Sequence, residues 1–250
     1  MVRISGLWID KLGVEIECGI DDTLPKSQKQ VPGFSFEHDG SIRTDKSQSQ
    51  KAEYVSNRIE YPDEIERLPG KVRQVYGNIT EINASMGLHI HVSLNKDLYY
   101  YRLASLKFHD WFISRVKDSE LWEKCPRLRK RVRNRDYHPY HSDRKYGFFC
   151  RPITDNSTID TQLDSYGRKY RRITYMKHKY GTVEFRLFPA MESPEKVIDA
   201  VNLVTTSINS YLRQGLYTDN VSTIKEIDQL EVEKNLESTV SVEGVEQSDV

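Results

Sequence analysis

Three short segments, Glu15-Ile16-Glu17, His89-Ile90-His91 and Glu184-Phe185-Arg186, repeat one pattern of polar, apolar, polar residues. Side chains alternate across a β-strand, so residues i and i+2 share a face. Each segment as a strand buries its middle residue and sends two reactive groups to the opposite side. Laid side by side, the three strands gather carboxylates, imidazoles and a guanidinium on one sheet face. Taken singly, each segment has an ordinary reading: a solvent-facing Glu-x-Glu edge, a polar pair of core histidines, an internal salt bridge. Their combination points to chemistry. Two carboxylates on one face repel unless a positive charge lies between them. Oxygen ligands with an imidazole suit Mg²⁺ or Mn²⁺ better than a closed zinc site. An arginine fork suits phosphate, and metal plus arginine is the apparatus of phosphoryl transfer.

The rest of the chain sets the context. At 250 residues it can bury a sizeable core in one large or two small domains. A formal net charge of zero gives no global attraction to nucleic acid or anionic membrane. Charge is uneven, however: Lys124 to Arg135 is strongly basic and the sequence after Lys225 mostly acidic. Cys18, Cys125 and Cys150 are odd in number and lack metal-type spacing, which argues against a disulfide framework. The sequence shows no signal-peptide pattern and no run near the roughly 20 apolar residues of a membrane span. A cytoplasmic location is expected.

Periodicity predicts a strand over 7–20, a further strand around 53–56, a helix over 62–82 and a strand over 88–94. One long central helix is expected over 98–122, then a basic irregular segment to 151 and a strand over 182–188. Ser193 and Pro194 mark the start of a helix running to about 212. The expected organisation is a single catalytic domain over 1–218 and an acidic, weakly ordered tail over 219–250. Loops at 21–50 and 134–156 are expected as lids.

In order along the chain, Gly13-Val-Glu-Ile-Glu17, Asp39-Gly-Ser41, Glu53-Tyr-Val-Ser56, Gly87-Leu-His-Ile-His-Val-Ser93 and Thr182-Val-Glu-Phe-Arg-Leu-Phe188 resemble the motifs of the amidoligase family. That family belongs to the superfamily of glutamine synthetase and glutamate–cysteine ligase, and the resemblance spans about residues 8 to 212. It implies an α+β, glutamine-synthetase-like fold: a curved antiparallel sheet, helices packed on one face, and an active site on the concave face. It implies ATP and Mg²⁺ (or Mn²⁺) as cofactors. Glu15, His89 and Glu184 would hold one metal and Glu17 with Glu53 another. His91 would lie near the nucleotide and Arg186 would meet transferring phosphate, making Glu184 and Arg186 catalytic. Asp39 would handle the incoming amine. Gly167-Arg-Lys-Tyr-Arg-Arg172 stands where relatives carry a phosphate-binding arginine, so Arg168, Arg171 and Arg172 are candidates, although Ile173-Thr174-Tyr175 replaces the usual Leu-Asn.

The implied activity is ATP-dependent carbon–nitrogen ligation, joining a small-molecule or peptide carboxylate to an amine through an acyl phosphate. Two alternatives stand beside it. One is a metal-dependent phosphotransferase or hydrolase on the same sheet face. The other is a non-catalytic nucleic-acid-binding protein that uses the basic segment 124–135. The second is the weaker, because that segment also reads as a solvated helix end or a local anion funnel. His138-x-x-His141 with Asp143 has the spacing of a zinc site but lacks a fourth ligand. Neither nucleic acid nor a membrane is the expected partner.

Overall fold

The computed structural model describes residues 8–103, 105–133, 173–176 and 181–213. Its organising element is a 13-residue strand, β1 (Ile9–Asp21), long enough to serve four partners. It pairs with β3 (Ser49–Ser56) through Glu15–Asp21 and with β6 (Gly87–Leu94) through Ile9–Ile16. Two short strands, β4 (Ile59–Glu60) and β5 (Ile79–Glu81), take its remaining edge positions. Beyond these lie β2 (Phe34–Glu37) next to β3, then β8 (Thr182–Pro189) next to β6, with β7 (Ile173–Met176) outside it. The result is an α+β molecule built on an open eight-stranded sheet of order β2-β3-β1-β6-β8-β7, with antiparallel ladders.

Alternation divides this sheet cleanly. Val14, Ile16, Cys18 and Ile20 of β1 are fully buried, as are Ala52 and Tyr54, Leu88, Ile90 and Val92, and Val183, Phe185 and Leu187. Helices cover that apolar face. Leu68, Val72 and Val75 of α2 (Leu68–Asn78) and Val197, Ala200, Val201, Val204 and Ile208 of α7 (Pro194–Arg213) join the same core. Phe108 and Phe112 of α4 (Leu106–Lys117) lay their rings against Phe185, with centroids 6.4 and 5.0 Å away, and Tyr211 closes the cluster 4.9 Å from Phe108. The other face carries the polar partners.

Three expected elements differ from what forms. The helix expected over 62–82 is reduced to a 3₁₀ turn, Ile65–Arg67, and α2. Ile79 and Thr80, β-branched residues suited to a pleated surface, leave the helix so that β5 pairs with Gly19 and Ile20. The single helix expected over 98–122 breaks into α3 (Asp97–Leu103), α4 and α5 (Glu120–Lys124). Serines cause the breaks: Ser105 Oγ accepts from the Phe108 N–H at 3.1 Å and Ser119 Oγ from the Trp122 N–H at 3.3 Å, each starting a new helix. Within the basic segment, residues expected to be irregular form α6 (Pro126–Arg133), with Pro126 at its first position and Leu128 and Val132 buried one turn apart. The lid expected at 134–156, the motif at 138–143, the arginines at 168–172 and the tail at 219–250 lie outside the described residues.

Truncating the aromatic contact between sheet and helices tests this core. Phe185→Ala removes a fully buried ring and is expected to lower unfolding stability by about 3–5 kcal/mol, read as a fall in the urea midpoint at constant slope.

Candidate metal centre

The strand register builds the polar face in rows. Glu37, Glu53 and Glu17 stand opposite one another across β2, β3 and β1. Glu15 faces His89, and Gly13, His91, Glu184 and Thr174 form a further row across β1, β6, β8 and β7. Directly opposed positions bring Cβ atoms to about 5 Å, so like charges in such rows are costly unless countered. Between Ile90 and Leu88 the β6–β8 ladder shifts, with Phe185 and Phe188 as partners, so β8 carries an extra residue there. Arg186 sits in that bulge, the kind of irregularity that re-aims a side chain. Its guanidinium hydrogen-bonds the Glu184 carboxylate.

The side chains converge. His89 Nδ1 lies 3.0 Å from Glu15 Oε2 and 3.6 Å from Glu184 Oε1, and its Nε2 is 3.6 Å from Glu17 Oε1. His91 Nε2 is 3.0 Å from Glu15 Oε1 and 3.8 Å from Glu184 Oε1. That nitrogen is buried and turned toward the two carboxylates. Arg186 Nε is buried and unbonded. Gly87 sits in a tight spot: its N–H donates to Glu17 Oε2 at 2.5 Å, and a Cβ there would lie 3.0 Å from His89 Nε2 and 3.2 Å from Glu17 Oε2.

Three sets of donor atoms lie within 4.8 Å of one another: Glu15–His91–Glu184, Glu15–Glu53–His89 and Glu17–Asp39–Glu53. Glu15 and Glu53 are each shared between two sets. Carboxylate oxygens with one imidazole form the donor chemistry of a hard divalent cation, and His91 Nε2 lies within 4 Å of both Glu15 and Glu184. The residues present therefore fit Mg²⁺ or Mn²⁺.

Electrostatics separates the carboxylates. Burial alone would push Glu15 up, but His89 and His91 beside it outweigh burial and hold it well below the usual carboxylate range. Burial opposes charge on His91 too, yet Glu15 and Glu184 raise it above the ordinary histidine value. Glu53 goes the other way. Burial first, then the charges of Glu15, Glu17, Asp39 and Glu37, push its carboxyl up to about 8. Among the described residues, the face is charge-balanced on its histidine side and short of positive charge around Glu53.

Asp39 reaches this face on a tethered loop. Its Oδ1 and Oδ2 accept from the Ser41 N–H at 2.7 Å and the Ser41 hydroxyl at 3.0 Å. Ile42 plugs into a small apolar cluster with Met86 and Ala190. Glu81 then accepts from the Asp45 and Lys46 N–H groups at 2.8 and 3.2 Å and from Asn83 Nδ2 at 2.7 Å, while Asn83 also donates to the Arg43 carbonyl. The segment 21–50, expected as a lid, is thus pinned around residues 41–46.

The structure brings together Glu15, Glu17, Glu53, His89, His91, Glu184, Arg186 and Asp39. It places both His89 and His91 within 4 Å of Glu15 and Glu184, and it adds Asp39 to Glu17 and Glu53. Arg168, Arg171 and Arg172 lie outside the described residues. Sequence reading missed Glu37, which extends the acidic row, and Glu81 with Asn83, which hold the Asp39 loop. The polar Glu81-Ile-Asn-Ala-Ser85 run was the available signal, since Asn and Ser in such a run bind nearby backbone.

Residues 10–207 match the model of a family described as "Putative amidoligase enzyme". No curated protein matches the chain.

Two outcomes follow from the geometry. A cation binds the ionised form of Glu53, so below about pH 8 it must displace the Glu53 proton. Mn²⁺ affinity is expected to rise by about tenfold per pH unit toward that value and level off above it, with proton release in weak buffer; a flat calorimetric profile over this range contradicts the assignment. Glu81→Gln keeps one oxygen acceptor but removes the charge holding two loop amides. It should weaken Mn²⁺ binding at the Asp39 side and lower stability by about 1–3 kcal/mol, read by metal titration and thermal unfolding.

Proposed function

The chain belongs to the amidoligase family, and from that premise we propose that it is an ATP- and Mg²⁺-dependent carboxylate–amine ligase. One observation carries the reading: three overlapping donor sets, two of carboxylates with an imidazole and one of carboxylates alone, share Glu15 and Glu53 on one sheet face, with Arg186 at its edge. The open antiparallel sheet with helices on its apolar face supports a glutamine-synthetase-like fold, and 1–218 reads as one catalytic domain.

In this reading Glu15, His91 and Glu184 hold one divalent cation, with His89 as their hydrogen-bonding neighbour, and Glu17, Glu53 and Asp39 hold the other. The cations, when bound, neutralise phosphate charge. Arg186 offers its unbonded Nε–H to the transferring phosphoryl group, and Glu184 fixes the other arm of its fork. A substrate carboxylate oxygen attacks the γ-phosphorus, the bond to the ADP oxygen breaks, and an acyl phosphate forms. The amine nitrogen then attacks the acyl carbon, phosphate leaves, and the nitrogen loses a proton. Asp39, at the acidic end of the face, is the candidate acceptor of that proton. Water exclusion protects the acyl phosphate from hydrolysis.

The basic segment lends little to a nucleic-acid reading. Arg127, Arg129 and Arg131 each donate to carbonyls of the protein itself: Ala190, Trp122 with Glu123, and Phe188. Their fixed inward contacts favour a structural or site-directed role over a phosphate-backbone patch. Among the described residues no helix is long and apolar enough to cross a membrane.

The test is stoichiometric. ADP and phosphate should accumulate from Mg–ATP only when a carboxylate and an amine are both supplied from a panel of amino acids, polyamines and peptides. ATP cleavage indifferent to any amine would instead favour the phosphotransferase or hydrolase reading. Glu15→Gln, Glu17→Gln and Glu184→Gln should each cut turnover by about a hundredfold or more while circular dichroism stays unchanged.

A further inference from the structure

Gly87 leaves a gap in the polar face, and something fills it. The point where its Cβ would stand is 3.0 Å from His89 Nε2, 3.2 Å from Glu17 Oε2 and 3.5 Å from a terminal guanidinium nitrogen of Arg131. Arg131 belongs to α6, which lies against β8, and its guanidinium is anchored on the Phe188 carbonyl. It reaches the acidic face from outside the sheet, at a sheet position where any residue but glycine would place its own side chain. Among the described residues it makes no ion pair, so that carbonyl is its one partner and the rest of its donor fork is uncommitted. The other arginines of the helix differ. Arg129 is spent on the Trp122 and Glu123 carbonyls at 2.8 and 2.6 Å, and Arg127 donates to the Ala190 carbonyl at 3.4 Å.

A guanidinium with free donors beside carboxylates is poorly placed to bind anions until a cation offsets the acidic charge. With a cation at Glu17 and Glu53, the same geometry becomes a two-point receptor for an oxyanion, metal on one side and planar fork on the other. We propose that Arg131 is a phosphate-binding residue of this centre, acting beside Arg186. For a nucleotide as the phosphate source, this rests on the ligase reading; for phosphate as such, it rests on the geometry of Gly87, Glu17 and Arg131.

The experiment titrates the Mn²⁺-loaded full chain calorimetrically with inorganic pyrophosphate, ADP and β,γ-imido-ATP. Arg131→Gln is the decisive variant, because a glutamine amide can still donate to a carbonyl while carrying no charge. The expected result is a loss of about tenfold to a hundredfold in affinity for pyrophosphate and for at least the imido nucleotide. Mn²⁺ affinity without phosphate and the thermal midpoint should stay near wild type. Arg131→Lys should restore part of the loss, and Arg129→Gln should bind like wild type. Equal losses for ADP and imido-ATP place the contact before the terminal phosphate, and a loss for imido-ATP alone places it there. Wild-type protein that binds pyrophosphate but neither nucleotide overturns the ATP reading and leaves Arg131 in place. A folded Arg131→Gln variant that binds every probe as wild type does overturns the inference alone. Wild-type protein that binds no phosphate probe overturns it too.

Discussion

The alternation of β1 is the constraint on which the other elements depend. Val14, Ile16, Cys18 and Ile20 enter the core, and Gly13, Glu15, Glu17 and Gly19 face the opposite way. Four strands take their register from it. A slip of one residue would send two carboxylates into the apolar layer and three branched hydrophobes onto the polar face. The apolar side therefore does more than stabilise. Packing against Phe108, Phe112 and the α7 residues locks the register, and the register sets which carboxylate meets which imidazole.

That polar face is locally unfavourable to folding, and its neighbours show how it is tolerated. On the β6–β8 side the histidines and Arg186 offset Glu15 and Glu184. On the β3 side no cation among the described residues does the same for Glu53, whose carboxyl is pushed up to about 8. A half-buried acid with neighbouring acids and no counter-charge among the described residues fits a site that takes an external cation. Glycines make the crowding possible. At Gly19 a Cβ would stand 2.5 Å from Ser49 Oγ and 2.9 Å from Glu81 Cβ, so β1 passes close to the residue that ties down the Asp39 loop.

Local patterns in the chain were legible where the physics is local. The triplets around Ile16, Ile90 and Phe185 marked strands and faces because side-chain alternation is a property of the extended backbone itself. Ser193 and Pro194 marked a helix start for an equally local reason. The long helices expected over 62–82 and 98–122 misread a period that several short elements share. Successive helices buried against one core keep apolar residues three and four apart, while serine caps and a strand pairing interrupt the backbone between them.

By itself, the sequence determined which groups share a face with which: Glu15 with Glu17, His89 with His91, Glu184 with Arg186. Only the tertiary structure decided their neighbours. The ladder order places β6 between β1 and β8, so both histidines stand between Glu15 and Glu184. A pinned loop delivers Asp39 beside Glu17 and Glu53, and a helix far along the chain lends Arg131 to the space over Gly87. Alternation is fixed within a few residues, whereas these encounters depend on which distant segments exchange backbone hydrogen bonds and share a core.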